Sequence, residues 1–124
     1  MQAETILLVE DESSLKSVIK MFLEHSGYYV LAADNGVDAL FVGSQYKGPI
    51  HLLLTDVEMS PMSGPELAEQ LLLYRPETQV LFMSGNRQEE DMREGICLLN
   101  ARFLGKPFNP AVLRQVVKES LGSA

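Results

Sequence analysis

The sequence predicts a doubly wound α/β domain, a five-stranded parallel sheet covered by helices on both faces, and three observations predict it. Short apolar runs alternate with longer amphipathic stretches along all 124 residues. Several of those runs are apolar without a break, as strands buried on both faces are. Four of them end in polar residues, at the strand ends where open α/β sheets place their ligands.

The central run is Leu52-Leu53-Leu54-Thr55, which stops at Asp56. An aspartate closing a core strand is by itself most often a turn residue. Its weight here comes from the other strand ends. Thr5 to Val9 is a first strand, ending in Glu10-Asp11-Glu12. Ser13 and Ser14 start a helix whose Leu15, Val18, Ile19 and Phe22 fall at helical spacing, and Gly27 closes it. Tyr28 to Ala32 is a second strand, less continuous and so nearer an edge. The turn Asp34-Asn35-Gly36 leads into a helix over about 36–46, which Gly48-Pro49 breaks before the third strand.

After Asp56 a loop runs from Glu58 to Gly64, and Pro65 opens a helix carrying Leu67, Leu71 and Leu72 inward. Val80 to Met83 is strand four, closed by Ser84-Gly85. Arg87 to Leu98 is densely charged at its start and predicts a marginal fourth helix. Arg102 to Leu104 is strand five, followed by Gly105-Lys106-Pro107. Asn109 caps and Pro110 starts a fifth helix with Leu113, Val116 and Val117 buried.

Composition narrows the function. One domain with one sizeable core fits residues 1–124, with 46% hydrophobic and 22% charged residues. A net charge of −7 argues against direct nucleic-acid binding, which needs clustered Lys and Arg. The single cysteine, Cys97, suits a reducing cytoplasm. No leader pattern and no run long enough for a membrane helix appear, so a cytoplasmic location without membrane contact is expected. His25 and His51 read as surface or cap residues, and Met59, Met62 and Met83 as packing.

In the flavodoxin-type strand order 2-1-3-4-5 the polar ends share one rim. Glu10 and Asp11 then lie beside Asp56, Ser84 is next door on strand four, and Lys106 is two strands away, roughly 10 Å. Two carboxylates about 4 Å apart repel by on the order of 4 kcal/mol at an effective dielectric near 20. Either one carboxyl keeps its proton or a cation sits among them; a hard divalent ion is the natural solution, and few protein ligands with several waters favour Mg²⁺. Asp56 as a carboxylate nucleophile, Lys106 as a charge clamp and Ser84 as a hydroxyl donor make a phosphoryl-transfer site.

The combination Glu10-Asp11, Asp56, Ser84 and Lys106-Pro107 resembles the receiver domain of two-component response regulators, over essentially the whole chain. The likeness is to stand-alone chemotaxis-type regulators, and LLLTDVEMSPMSGPELAEQL and VLFMSG resemble receivers attached to hybrid sensor histidine kinases. It implies a phosphorelay. A partner histidine kinase or histidine phosphotransfer protein would present phosphohistidine, and Asp56 would take the phosphoryl group as an aspartyl phosphate.

By the same resemblance Asp11 and Asp56 would bind Mg²⁺ directly, Glu10 through water, and the Glu58 backbone carbonyl would complete the protein ligands. Lys106 and Ser84 would contact the phosphoryl oxygens, small Gly85 would leave Asp56 accessible, and the Lys106-Pro107 bond would be cis. Ser84 and Phe103 would form the switch, with Phe103 as a static core residue the alternative. The output and homodimer face would be the fourth helix, fifth strand and fifth helix. The chain departs from the family at Ser60, where a proline is usual, and at Glu58, an uncommon residue two after the acceptor. No enzymatic turnover is expected beyond self-phosphorylation and autodephosphorylation. Two alternatives stand beside this reading. One is a phosphorylation-independent pseudo-receiver. The other is a haloacid-dehalogenase-type phosphatase, which would want an aspartate where Glu58 stands.

Overall fold

Three of the five strands are predominantly buried because helices cover both of their faces. The computed structural model describes residues 3–85 and 101–122. Strands β1 (Thr5–Val9), β2 (Tyr29–Ala33), β3 (Leu52–Asp56), β4 (Gln79–Ser84) and β5 (Arg102–Gly105) form one parallel sheet in the order β2-β1-β3-β4-β5. Every residue of β1 and β3 is buried, as two covered faces require. The less continuous β2 lies at an edge, with Tyr29 half exposed. It begins and ends one residue later than the sequence pattern suggests.

Four helices are described: α1 (Ser13–His25), α2 (Gly36–Gln45), α3 (Gly64–Tyr74) and α4 (Pro110–Leu121). The helix expected over Arg87 to Leu98, and with it Cys97, lies outside the described residues. Alternate strand residues feed two apolar layers. Leu7, Val9, Leu53, Val80 and Phe82 pack with Ala39, Leu67, Ala68 and Leu71 of α2 and α3. Ile6, Leu8, Leu52, Leu54, Leu81 and Met83 pack with Ile19 and Leu23 of α1 and Leu113 and Val117 of α4.

One helix face is corrected. Val18, expected inward, is 43% exposed, whereas Leu23 is buried beside Ile19. The apolar stripe of α1 runs through Leu15, Ile19, Phe22 and Leu23, a spacing of four, three and one that turns Val18 off the core.

Local chemistry fixes the helix ends. Asn35 and Asn109 accept hydrogen bonds from the amides of Asp38 and Val112 at 2.9 Å and 2.8 Å. Ser63 and Glu66 form a reciprocal capping box on α3. After α1, Gly27 takes φ of +98°, a left-handed conformation only glycine adopts without strain. At the far end of α3, the Arg75 guanidinium donates to the carbonyls of Gly43, Tyr46 and Gly48 at 2.7–3.2 Å. It thereby satisfies carbonyls that the end of α2 leaves without helical partners.

Candidate functional site

The C-terminal rim of the sheet collects the polar strand ends. β1 and β3 are neighbours, so Glu10 and Asp11, which follow β1, stand beside Asp56, the last residue of β3. Ser84 ends β4 in the adjoining position, and Lys106 follows β5, its amide donating to the Ser84 carbonyl at 2.8 Å. Two cis peptides, Lys106-Pro107 and Ser60-Pro61, lie in the rim loops. The first matches the sequence expectation; the second does not appear in it.

Glu10, Asp11 and Asp56 each bring a carboxylate oxygen within 4.8 Å of the others. Asp56 is buried and Glu10 almost wholly so, while Asp11 reaches solvent. The Lys106 ammonium lies 2.5 Å from Asp56 Oδ1 and 3.2 Å from Glu10 Oε2. The other Glu10 oxygen accepts from the Glu12 amide at 3.3 Å.

Burial and the hydrogen-bonded Glu10 carboxyl push the Asp56 carboxyl up to about 8, although Lys106 pulls against them. Burial by itself would lower the Lys106 ammonium, but Asp56 and Glu10 outweigh it and hold the lysine above its ordinary value.

These residues surround a cleft of about 330 Å³, whose wall also includes Glu12, Glu58, Met83, Ser84 and Gly85. Glu58 is exposed at the mouth. A Cβ on Gly85 would approach the Lys106 Cβ to 3.3 Å, so a larger residue would crowd the lysine beside Asp56. The loop that carries Glu58 into the cleft wall is closed at Gly64. A Cβ there would strike the backbone carbonyl of Asp56, and the Gly64 amide donates to Val57 at 2.9 Å. Only glycine lets the loop after Asp56 fold back this closely.

Phe103 sits away from the cleft. It pairs in register with Phe82 and packs, half-buried, against the α2–α3 layer. His51 uses Nδ1 to accept from the Thr5 amide at 2.9 Å, and Met59, Met62 and Met83 all pack in the two apolar layers. Glu12 is the residue the sequence reading passed over. Its only signal was adjacency to Glu10-Asp11, and a third acid in a helix-starting run reads equally well as a solvated first turn.

Three carboxylates with oxygens inside 4.8 Å fit a hard divalent ion, and Lys106 already brings positive charge to two of them.

The family model described as the response regulator receiver domain matches residues 6–118. Sensor kinase CckA of Brucella abortus is 34% identical over 117 residues, which are 94% of this chain and 12% of that protein. The response regulator receiver protein CpdR of the same organism is 33% identical, over 92% of this chain and 91% of its own length. Transcriptional regulatory protein CreB of Escherichia coli is 31% identical, and the chain spans about half, 56%, of it. Among solved structures, the receiver domain of the hybrid histidine kinase CckA superposes with a TM-score of 0.80 at 34% identity, over 94% of this chain and 98% of that one. A CheY-like receiver domain protein from Methanospirillum hungatei superposes at 0.89 with 27% identity, covering 98% and 96%.

Proposed function

Because the chain belongs to the response regulator receiver domain family, we propose that it is a phosphoacceptor in which Asp56 takes a phosphoryl group from phosphohistidine. The observation that carries this reading is the Asp56 carboxylate at a strand end, 2.5 Å from the Lys106 ammonium and grouped with Glu10 and Asp11. Members of the family are signalling modules of two-component systems, and they bind Mg²⁺ at an acidic pocket of this kind.

In the transfer, an Asp56 carboxylate oxygen attacks phosphorus as the phosphorus–nitrogen bond to the donor imidazole breaks. The imidazole leaves with the bonding pair, and an acyl phosphate remains on Asp56. With a divalent cation beside it the Asp56 carboxyl would be ionised, and no general base is then required, since an ionised carboxylate carries no proton to remove. Asp11, Asp56 and the Glu58 backbone carbonyl would hold Mg²⁺, with Glu10 one water removed. When bound, the ion supplies charge neutralisation to the incoming phosphoryl oxygens. Lys106 moves from its Asp56 contact to a phosphoryl oxygen, and Ser84 donates its hydroxyl to another.

The donor is a histidine kinase or a histidine phosphotransfer protein, and the place of action is the cytoplasm. Among the described residues no helix is long and apolar enough to cross a membrane. The charge gained at Asp56 would draw Ser84 toward it and let Phe103 turn inward, altering the face built from β5 and α4. The remainder of that face, at 87–98, lies outside the described residues.

The chemistry is tested by treating the chain with acetyl phosphate and Mg²⁺, then reducing with borohydride and mapping peptides. Homoserine at position 56 is expected. Modification at another carboxylate, or hydrolysis of the donor without any labelled residue, would overturn the assignment.

A further inference from the structure

At the opposite rim of the sheet a hollow of about 530 Å³ opens between the end of α1 and α4. Glu4 and Tyr28, which line it, immediately precede β1 and β2. The five-residue strands therefore separate it by roughly 16 Å from the acidic cleft. Its size falls in the range of small-molecule pockets, about 300–1,000 Å³.

The lining is chemically divided. Phe22 and Leu113 supply apolar surface and Tyr28 a ring, while Arg114 and Lys118 stand on the α4 side. These two cations are one helical turn apart, where like charges oppose each other. Neither forms an ion pair or side-chain hydrogen bond among the described residues. Glu119, in the same turn, is held by Gln115 at 3.0 Å instead.

Glu4 shares the hollow yet pairs with neither cation. It lies beside Tyr28, whose hydroxyl is pushed up by burial and then by the Glu4 charge. Negative and positive groups are thus kept apart across an apolar and aromatic surface. In a chain of net charge −7, two cations one turn apart on a cavity wall form a local positive patch. Screening confines the general repulsion to about 8–10 Å.

From this arrangement we propose that the hollow is a second binding site, for a small organic phosphate bearing an aromatic ring, the chemistry of a nucleoside monophosphate. Arg114 and Lys118 take the phosphate, Phe22 and Tyr28 take the face of the ring, and Glu4 accepts from hydroxyl or amino donors. The same two cations border an adjoining hollow of about 290 Å³ formed by Ala111 and Gln115, which gives the phosphate room to be approached from either side.

The test is a titration of the ¹⁵N-labelled chain, in chelator, with adenosine monophosphate, adenosine and inorganic phosphate. The expected result is perturbation of the amides of Tyr28 and Leu113 to Lys118, with the monophosphate binding at least about tenfold more tightly than either fragment. Arg114→Ala/Lys118→Ala, at two exposed positions, should weaken binding at least about tenfold while phosphoryl uptake at Asp56 is unchanged. Lys106→Ala should leave the monophosphate affinity intact. Absence of binding at millimolar monophosphate, equal affinity for adenosine, perturbations confined to the Asp56 cleft, or full affinity in the double variant would each overturn the proposal.

Discussion

Without a divalent cation, Asp56 at neutral pH retains a proton that an unfolded chain would release, since its carboxyl lies at about 8 rather than 3.8. The folded state therefore binds more protons than the unfolded state between those values. Stability from this group is fully present at the acid end of the window and is lost as pH rises toward 8, by at most about 1.4 kcal/mol per pH unit. Asp56→Asn, which never ionises, should remove that slope and raise the melting temperature in chelator at about pH 8. Thermal melts in steps across the window check it, and an unchanged slope would contradict it. The residues that make this site were legible for a simple reason: Glu10, Asp56, Ser84 and Lys106 each close or follow an apolar run. Glu12 was not, because an exposed acid at a helix start has an ordinary explanation of its own. Val18 misled because two apolar stripes of α1 overlap in sequence, and only packing against β1 and β2 selects between them.

Arg75 and Gly64 carry the element scale. Arg75 joins α3 to the end of α2 and the approach to β3 through four hydrogen bonds to three carbonyls. Arg75→Ala leaves those carbonyls without their charged donor and should cost about 3 kcal/mol, read from urea denaturation. Arg75→Lys should recover less than half, since one ammonium cannot reproduce a planar fork. Gly64→Ala forces a Cβ onto the Asp56 carbonyl; it should destabilise by more than about 2 kcal/mol or displace the loop after Asp56. Neither tie was visible in advance. A Pro after Arg75 marks the helix end clearly, but which carbonyls the arginine reaches is decided by the packing of α2 on α3. The helix starts were more readable, because Asn35, Asn109 and Pro65 act locally.

Across the whole molecule, the parallel order β2-β1-β3-β4-β5 turns four separated motifs into one cleft. Alternation of runs implied a parallel sheet, the order entered as that of the flavodoxin type, and unbroken apolar composition marked β1 and β3 as buried on both faces. The hollow at the other rim was illegible, since Glu4 and Tyr28 lie in two separate connecting segments, Arg114 and Lys118 on α4, and none closes a strand into the cleft. A cation held by the folded cleft must stabilise the domain. Mg²⁺ at a hundred times its dissociation constant should add about 2.7 kcal/mol, seen as a higher melting temperature that Asp11→Ala largely abolishes. Calcium-free melts with and without Mg²⁺ measure this directly.

The most direct trial of the central claim is intact-protein mass spectrometry after incubation with acetyl phosphate, with Mg²⁺ or with chelator. The account predicts one added phosphoryl group that requires Mg²⁺, is lost on treatment with hydroxylamine, and is absent from Asp56→Asn. Stoichiometric labelling of Asp56→Asn, or an unmodified native chain that nevertheless binds Mg²⁺ in the cleft, would contradict it.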